Sequence, residues 1–412
     1  MTGLEALMWR LGRRHPSLVP WMGLRVGLDR PVRRADVARR LEEVTAMVSR
    51  LRDRVAEPPL PGLPPRWEPD PAFDVQRHLR SGAAAEPPGD GHPPWCAALM
   101  DGRTLDLLMH HSYTDGLGAM RLLSELFDGP FSSPPAPPAQ AAGAVEELAA
   151  RSLRTLGKAF TWAAEALSEP TSGLLAAVTS QLGGALAPAS PIMRARSGGR
   201  HFSWLSVELR RLKEAGRRLE ATVNDVFLSA LLEGLARYHE KNTVSPPSTL
   251  RLGVPVSSRP GEVVDMANQL HAAVLAAPLG CADFDERTRL LHEMVGRARA
   301  AAASTAGLAD LLDEIAGVAS CLPGADRLAA AVIGRLDVVA SNVAGPPSLL
   351  RFCGSQVTEL VPCGPRAGAA VNATLLSYAG TAFVGLNVDP AAVARPEELC
   401  ECLRAAFDAV PG

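Results

Sequence analysis

Two adjacent histidines followed by a carboxylate and a glycine, His110-His111-Ser112-Tyr113-Thr114-Asp115-Gly116, are the residues of this chain best suited to move a proton. An imidazole titrates near neutrality, so a histidine held beside a hydroxyl can take its proton and later return it. The stretch from Leu105 to His110 reads as a mostly buried strand, on which successive side chains point to opposite faces. One histidine of the pair can therefore face a site while the other packs or hydrogen-bonds behind it. Apolar positions from Leu117 to Phe127 recur at helical spacing, which sets the pair on a strand–turn–helix. Asp115 is placed to cap that helix, and Gly116 leaves the backbone open where a substrate approaches. Taken alone, the pair fits packed or metal-binding histidines as well as it fits catalysis, although no further ligand group lies nearby in sequence.

The elements that must position these residues divide the chain. With 412 residues, 47% hydrophobic and 21% charged, it is long enough for two packed α/β units. Residues 1–128 form the first, with a strand at Leu24–Leu28 and a helix whose apolar positions are Val37, Leu41, Val44 and Val48. The other face of that helix is rich in arginine, which suits a solvated surface or a lipid contact. Residues 60–71 are dense in proline and should run extended. Residues 129–200 read as a low-complexity linker followed by crossover helices, the first at 145–167. Residues 201–412 form the second unit. Its helices are expected at 208–219, 224–238 and 283–302, and its strands at 250–256, 269–276, 338–341 and 382–388.

Composition excludes several classes of function. A net charge of -2 gives no general attraction to nucleic acid, and no basic-aromatic motif is present. Only three of the 42 basic residues are lysines, and with abundant Ala, Gly and Pro this bias points to a GC-rich bacterial genome. The seven cysteines are scattered without a CxxC pair, which reads as reduced thiols and no metal site. Met1 to Arg10 lack a signal-peptide core, and the uncharged run between Glu169 and Arg194 is broken by Ser, Thr, Gln, Gly and Pro. A cytoplasmic protein is expected.

The full pattern His-His-x-x-x-Asp-Gly resembles the active-site signature of the CoA-dependent acyltransferase superfamily, which includes chloramphenicol acetyltransferase and peptide-synthetase condensation domains. Further segments resemble one branch, the bacterial wax ester synthase/diacylglycerol acyltransferases. These are Pro93-Pro94-Trp95 before the His strand and the Trp67…Phe73-Asp74…His78-Leu79-Arg80 segment upstream. Downstream follow Asn224-Asp225, Pro255-Val256-Ser257-Ser258-Arg259, Ala267-Asn268, Ser341-Asn342-Val343-Ala344-Gly345-Pro346 and Ser377-Tyr378-Ala379-Gly380 with Asp389. They run in family order from about residue 67 to 390. Pro94, Ala267 and Ala344 replace the family's Leu, Gly and Pro, and Glu5 stands where an Asp is usual.

The resemblance implies an α/β fold of two chloramphenicol-acetyltransferase-like subdomains with a tunnel at their interface. It implies an O-acyltransferase moving an acyl group from acyl-CoA, as co-substrate and without a cofactor or metal, to diacylglycerol or a long-chain alcohol. His111 would be the general base and His110 would pack behind it. Asp115 would hold the turn through a cap or an ion pair with Arg259, or act in a relay with His111. Asn224 would donate into the tunnel or cap its helix. Asn342, with Gly345, would shape a loop at the junction, close to the substrate. His78 is expected as a hydrogen-bonded structural histidine. Contact with a membrane surface or lipid droplet is compatible with such substrates. Two rival readings are an enzyme acting on a specialised metabolite or fed by an acyl carrier protein, and a non-catalytic binding protein of the same fold.

Overall fold

Strand β1 (Trp21–Leu28) shows why the first layer forms: Met22, Leu24 and Val26 alternate into the interior. There Leu24 and Val26 join Val37, Leu41 and Val44 of α2 (Arg34–Met47) in one core cluster. The computed structural model describes residues 1–58, 63–82, 85–86, 89–114, 116–128, 187–243, 245–256, 271–304 and 336–411. Before β1 lies α1 (Gly3–Arg14), opened by a capping box in which Thr2 and Glu5 exchange bonds. After α2 come a hairpin of β2 (Asp53–Ala56) and β3 (Arg66–Pro69), then α3 (Val75–His78) and β4 (Leu79–Ser81). Then come β5 (Trp95–Met100), β6 (Thr104–His110) and α4 (Gly116–Leu126). The proline-dense stretch is thus extended at β3, as its composition demands.

Two arginines of α2 turn inward rather than out. Arg40 donates to the carbonyls of Glu125, Leu126 and Phe127, satisfying the free acceptors at the end of α4, and Arg34 donates to Leu79 O. Arg33 and Arg39 pair with Asp36 on the same helix. Half of these arginines therefore tie α2 to its neighbours, while Arg33 and Arg39 stay on its solvated face.

The second half holds β7 (His201–Glu208), α5 (Leu209–Arg218), α6 (Val223–Asn242), β8 (Thr249–Val256), β9 (His271–Pro278) and α7 (Phe284–Ser304). It continues with β10 (Val338–Ala344), β11 (Arg351–Phe352), β12 (Ser355–Cys363), β13 (Val371–Tyr378), β14 (Thr381–Val388) and α8 (Pro396–Asp408). Strand β10 runs three residues beyond the expected 338–341, because its pairing with β13 continues to Ala344↔Ser377. The linker expected over 129–143 and the helix at 145–167 lie outside the described residues.

Two six-stranded sheets result. The first has the order β11-β12-β1-β6-β5-β4 and the second β7-β14-β13-β10-β8-β9. The first sheet thus draws two strands from beyond residue 201: β12 pairs antiparallel with β1 from Gly23↔Cys363 to Leu28↔Val357. Where β12 leaves the first sheet it presses against the second. A Cβ on Gly385 of β14 would collide with the Pro362 carbonyl oxygen, so the two backbones touch there because residue 385 has no side chain. Just beyond, Asn387 Nδ2 donates to Gly364 O (2.9 Å) and Asn372 Nδ2 to Pro365 O (2.9 Å). Arg366 and Asp389, both fully buried, form an ion pair of 2.5 Å, and Asp389 also accepts from Ser197 N–H and Oγ–H. Burial raises the pKa of the Asp389 carboxyl, but hydrogen bonds from Ser197 and the Ala391 amide, with the Arg366 charge, hold it below its ordinary range.

Substituting Gly385 by Ala should therefore destabilise the whole protein by about 3 kcal/mol through forced separation of the sheets. Urea unfolding of Gly385→Ala measures this, and a midpoint equal to wild type would refute the contact.

Candidate active site

The His turn begins where β6 ends. His110 still belongs to the ladder, opposite Trp21, and its N–H donates to Pro94 O (2.9 Å). The next residue leaves it: His111 N–H donates to Pro20 O at 2.7 Å. The chain before Pro20 lies against the second half, since Leu18 O accepts from Gly368 N–H (3.3 Å). Between them Val19 has φ 39° and ψ 71°, a left-handed conformation that costs a β-branched residue about 1–3 kcal/mol. That bend carries the Pro20 carbonyl to the His111 amide. His111 is half-buried at this junction, with its Nδ1 inside.

The two imidazoles have different environments. His110 is 3% exposed and lies edge-on to Trp9 (5.0 Å) and Trp21 (5.3 Å). Its Nδ1 accepts the Ser112 amide (3.1 Å) and meets Ser112 Oγ at 2.7 Å, which assigns the ring proton to Nε2. Gly12 of α1 makes room for the ring, since a Cβ there would lie 3.2 Å from Nε2. Burial, reinforced by the neighbouring His111, pushes the His110 imidazole down to about 3. His110 is thus a neutral, fixed group.

Tyr113 pins the turn from the other side. Its ring is fully buried and its hydroxyl donates to Asp53 O (2.6 Å), with Arg50 O at 3.0 Å. Trp67 meets the ring edge-on at 4.8 Å, and the Arg50 guanidinium lies over Trp67 at 4.3 Å. All of this closes on Glu5, 1% exposed, whose carboxylate accepts from Trp67 Nε1 (3.1 Å), Arg50 (3.3 Å) and Thr2 N–H (2.9 Å). Sequence reading passed over Tyr113, Trp67 and Arg50 as parts of this clamp. The available signal was the buried-type aromatic inside the His-His-x-x-x-Asp-Gly motif, whose three middle positions were treated as free.

The remaining expected residues are distributed as follows. His78 is a structural histidine: its Nδ1–H donates to Trp95 O (2.7 Å), its ring stacks on Trp95, and burial lowers its pKa. Gly116 is the first residue of α4, directly after the turn. Asp115, Arg259 and Asn268 lie outside the described residues. Asn224 does not cap α6, because Thr222 and Asp225 form the capping box there and Asp225 also accepts from His292 Nδ1 (2.8 Å). Asn224 is 8% exposed and its Nδ2 has no hydrogen-bond partner among the described residues. Asn342 is exposed on β10, a strand rather than the expected loop, because parallel pairing with β13 extends past it. Among the described residues no hydrogen bond links Asn224 or Asn342 to the His turn. The described cysteines are free thiols, with burial pushing Cys96 up to about 12.

Family comparison places this geometry. The wax ester synthase/diacylglycerol acyltransferase catalytic-domain model matches residues 89–227, and the C-terminal-domain model of the same family matches residues 266–410. A Mycobacterium tuberculosis protein named for diacylglycerol O-acyltransferase activity is 30% identical, over 90% of this chain and 83% of its own length. The chain belongs to the wax ester synthase/diacylglycerol acyltransferase family. It is an acyltransferase.

The fold of this family member is shared with solved structures. The wax ester synthase/diacylglycerol acyltransferase from Marinobacter aquaeolei VT8 superposes with a TM-score of 0.60 at 19% identity, over 94% of this chain and 93% of that one. The first condensation domain of the CDA synthetase gives 0.57 at 16%, over 100% and 96%. The matched catalytic region contains the His turn and ends just inside α6, while the C-terminal region contains β12. Among the described residues no helix is long and apolar enough to cross a membrane.

His110 carries a pH prediction. Its folded pKa is depressed from 6.5 to about 3, so the unfolded chain binds more protons between those values. Stability from keeping it neutral is complete above pH 6.5 and is lost as pH falls toward 3, approaching about 1.4 kcal/mol per pH unit for one proton. His110→Asn, whose Oδ1 can take the Ser112 amide, should flatten urea-midpoint curves between pH 6.5 and 4.5 relative to wild type. Parallel curves would show that His110 is not the titrating group.

Proposed function

We propose that this acyltransferase moves a fatty acyl group from acyl-CoA to the hydroxyl of a diacylglycerol or long-chain alcohol, with His111 as general base. The observation that carries the reading is the asymmetry of the histidine pair. His110 is sealed, neutral and committed to Ser112, whereas His111 follows it at the meeting of the two halves. An imidazole so placed takes the acceptor proton as the hydroxyl oxygen bonds to the thioester carbonyl carbon. The carbon–sulfur electron pair leaves with sulfur, and the imidazolium returns its proton to the thiolate. Charge on the carbonyl oxygen in between requires hydrogen-bond donors in a dry site, each worth about 3–4 kcal/mol.

Asp115 fits the role of turn support, with Arg259 as its partner in the second half. Asn224, buried with a free amide, fits a donor toward bound substrate. Diacylglycerol is favoured as acceptor by the names of the Mycobacterium tuberculosis relatives. A cytoplasmic enzyme that meets its lipid acceptor at a membrane surface is consistent with that choice.

Thiol release from acyl-CoAs of graded chain length, with and without diacylglycerol or hexadecanol, tests the proposal. Wild type should release thiol only with an acceptor present, and His111→Ala should lose about 10²–10⁴-fold while keeping its melting temperature. A folded His111→Ala variant with wild-type turnover would remove His111 from the mechanism. Silence of wild type with every CoA donor, and turnover with an acyl carrier protein, would reassign the donor.

A further inference from the structure

Among the described residues of the His turn, the hydroxyls of Ser112, Tyr113 and Thr114 fare differently. Ser112 bonds His110, and Tyr113 bonds the Asp53 carbonyl. Thr114 is fully buried, and its Oγ1 has no hydrogen-bond partner among the described residues. A hydroxyl shut away from water without a partner destabilises a fold relative to a methyl of the same shape. Valine would supply that shape at no polar cost. The position is also held still: the His111 amide is fixed to Pro20, and the neighbouring Tyr113 is clamped through Trp67, Arg50 and Glu5. An orphaned group on a fixed turn, three residues from the proposed base, is poised for a partner that the described residues do not supply.

We infer that the Thr114 hydroxyl makes its hydrogen bond to the bound reactants, contacting the acyl donor or the acceptor oxygen where they meet at His111. The inference rests on the reading of the His turn as the acyl-transfer site. No proton or bond is transferred at Thr114. It holds a polar atom of the substrates, and the energetic cost of its unpaired state disappears only when they are bound.

This makes an unusual pair of expectations for Thr114→Val. The variant should melt no lower than wild type, because an unpaired buried hydroxyl has been replaced by a methyl. It should nevertheless lose about 10- to 100-fold in kcat/KM, the range expected for one hydrogen bond to a polar or charging substrate atom. Thr114→Ser, which keeps the hydroxyl, should stay within about threefold of wild type. Steady-state acyl transfer and thermal melting of the full chain measure both. Full activity in Thr114→Val would overturn the inference, as would a melting temperature that falls with activity, or a serine variant as impaired as the valine. A wild type inactive with every donor would instead count against the acyl-transfer reading. In that case a non-reacting acyl-CoA thioether, supplied with and without hexadecanol, still decides the role of Thr114: equal thermal shifts, or none, in wild type and Thr114→Val under both conditions overturn it, and a shift lost only in the variant supports it.

Discussion

The passage of β12 from the second half into the first sheet is the constraint on which the rest of the structure depends. It gives β1 its second neighbour, so both edges of that strand are paired and the strand beside the His strand is locked in register. It also brings Pro362 against Gly385, which fixes how far apart the two sheets sit. The bonds from Asn372, Asn387, Arg366 and Asp389 around residues 364–366 then secure the exit of β12 within the second half. A site at the meeting of two halves needs this kind of tie, since small relative displacements would separate groups that must act together.

Chemistry at the His turn follows from unequal surroundings for equal side chains. Two imidazoles adjacent in sequence would be near-equivalent in water. Here one is placed among indole rings with its tautomer fixed by the Ser112 amide, and the other follows the strand end with its own amide held by the Pro20 carbonyl, just past the strained bend at Val19. The buried histidine also serves as a structural wedge, filling the space left by Gly12 between α1 and the sheet. On the proposed mechanism, stability and reactivity fall to different residues of the same pair.

Much of this was legible in the sequence because local patterns express it. The strand–turn–helix carrying His110 and His111, the α2 periodicity and the family order of motifs all depend on neighbours within a few residues. The strand at Ser355–Cys363 escaped notice because its burial does not alternate: Leu360, Val361 and Pro362 are buried in succession as the strand passes between two sheets. A period-two reading cannot recognise a strand that has no solvent face. Glu5 drew attention only as a departure from a family pattern, although it is the anchor of the Tyr113 clamp. The clamp joins residues 5, 50, 67 and 113, and contacts across such separations are set by tertiary packing that no local window samples. Asn342 was assigned to a loop by its likeness to the family's Ser-Asn-Val-Pro-Gly-Pro segment, and the parallel ladder with β13 prevailed.

The long return of β12 also shapes how the molecule is made. Leu28 pairs with Val357, so one flank of β1 stays open until synthesis has passed Val357. At ordinary synthesis rates that interval is on the order of half a minute. During it the nascent amino-terminal half presents a bare apolar sheet edge, the kind of surface that recruits other strands or chaperones. The charged and hydroxylated residues of β12, among them Ser355, Thr358 and Glu359, keep the awaited strand soluble until it docks. Its arrival closes the first sheet and sets its backbone against the second, so that both layers depend on a single late-made strand.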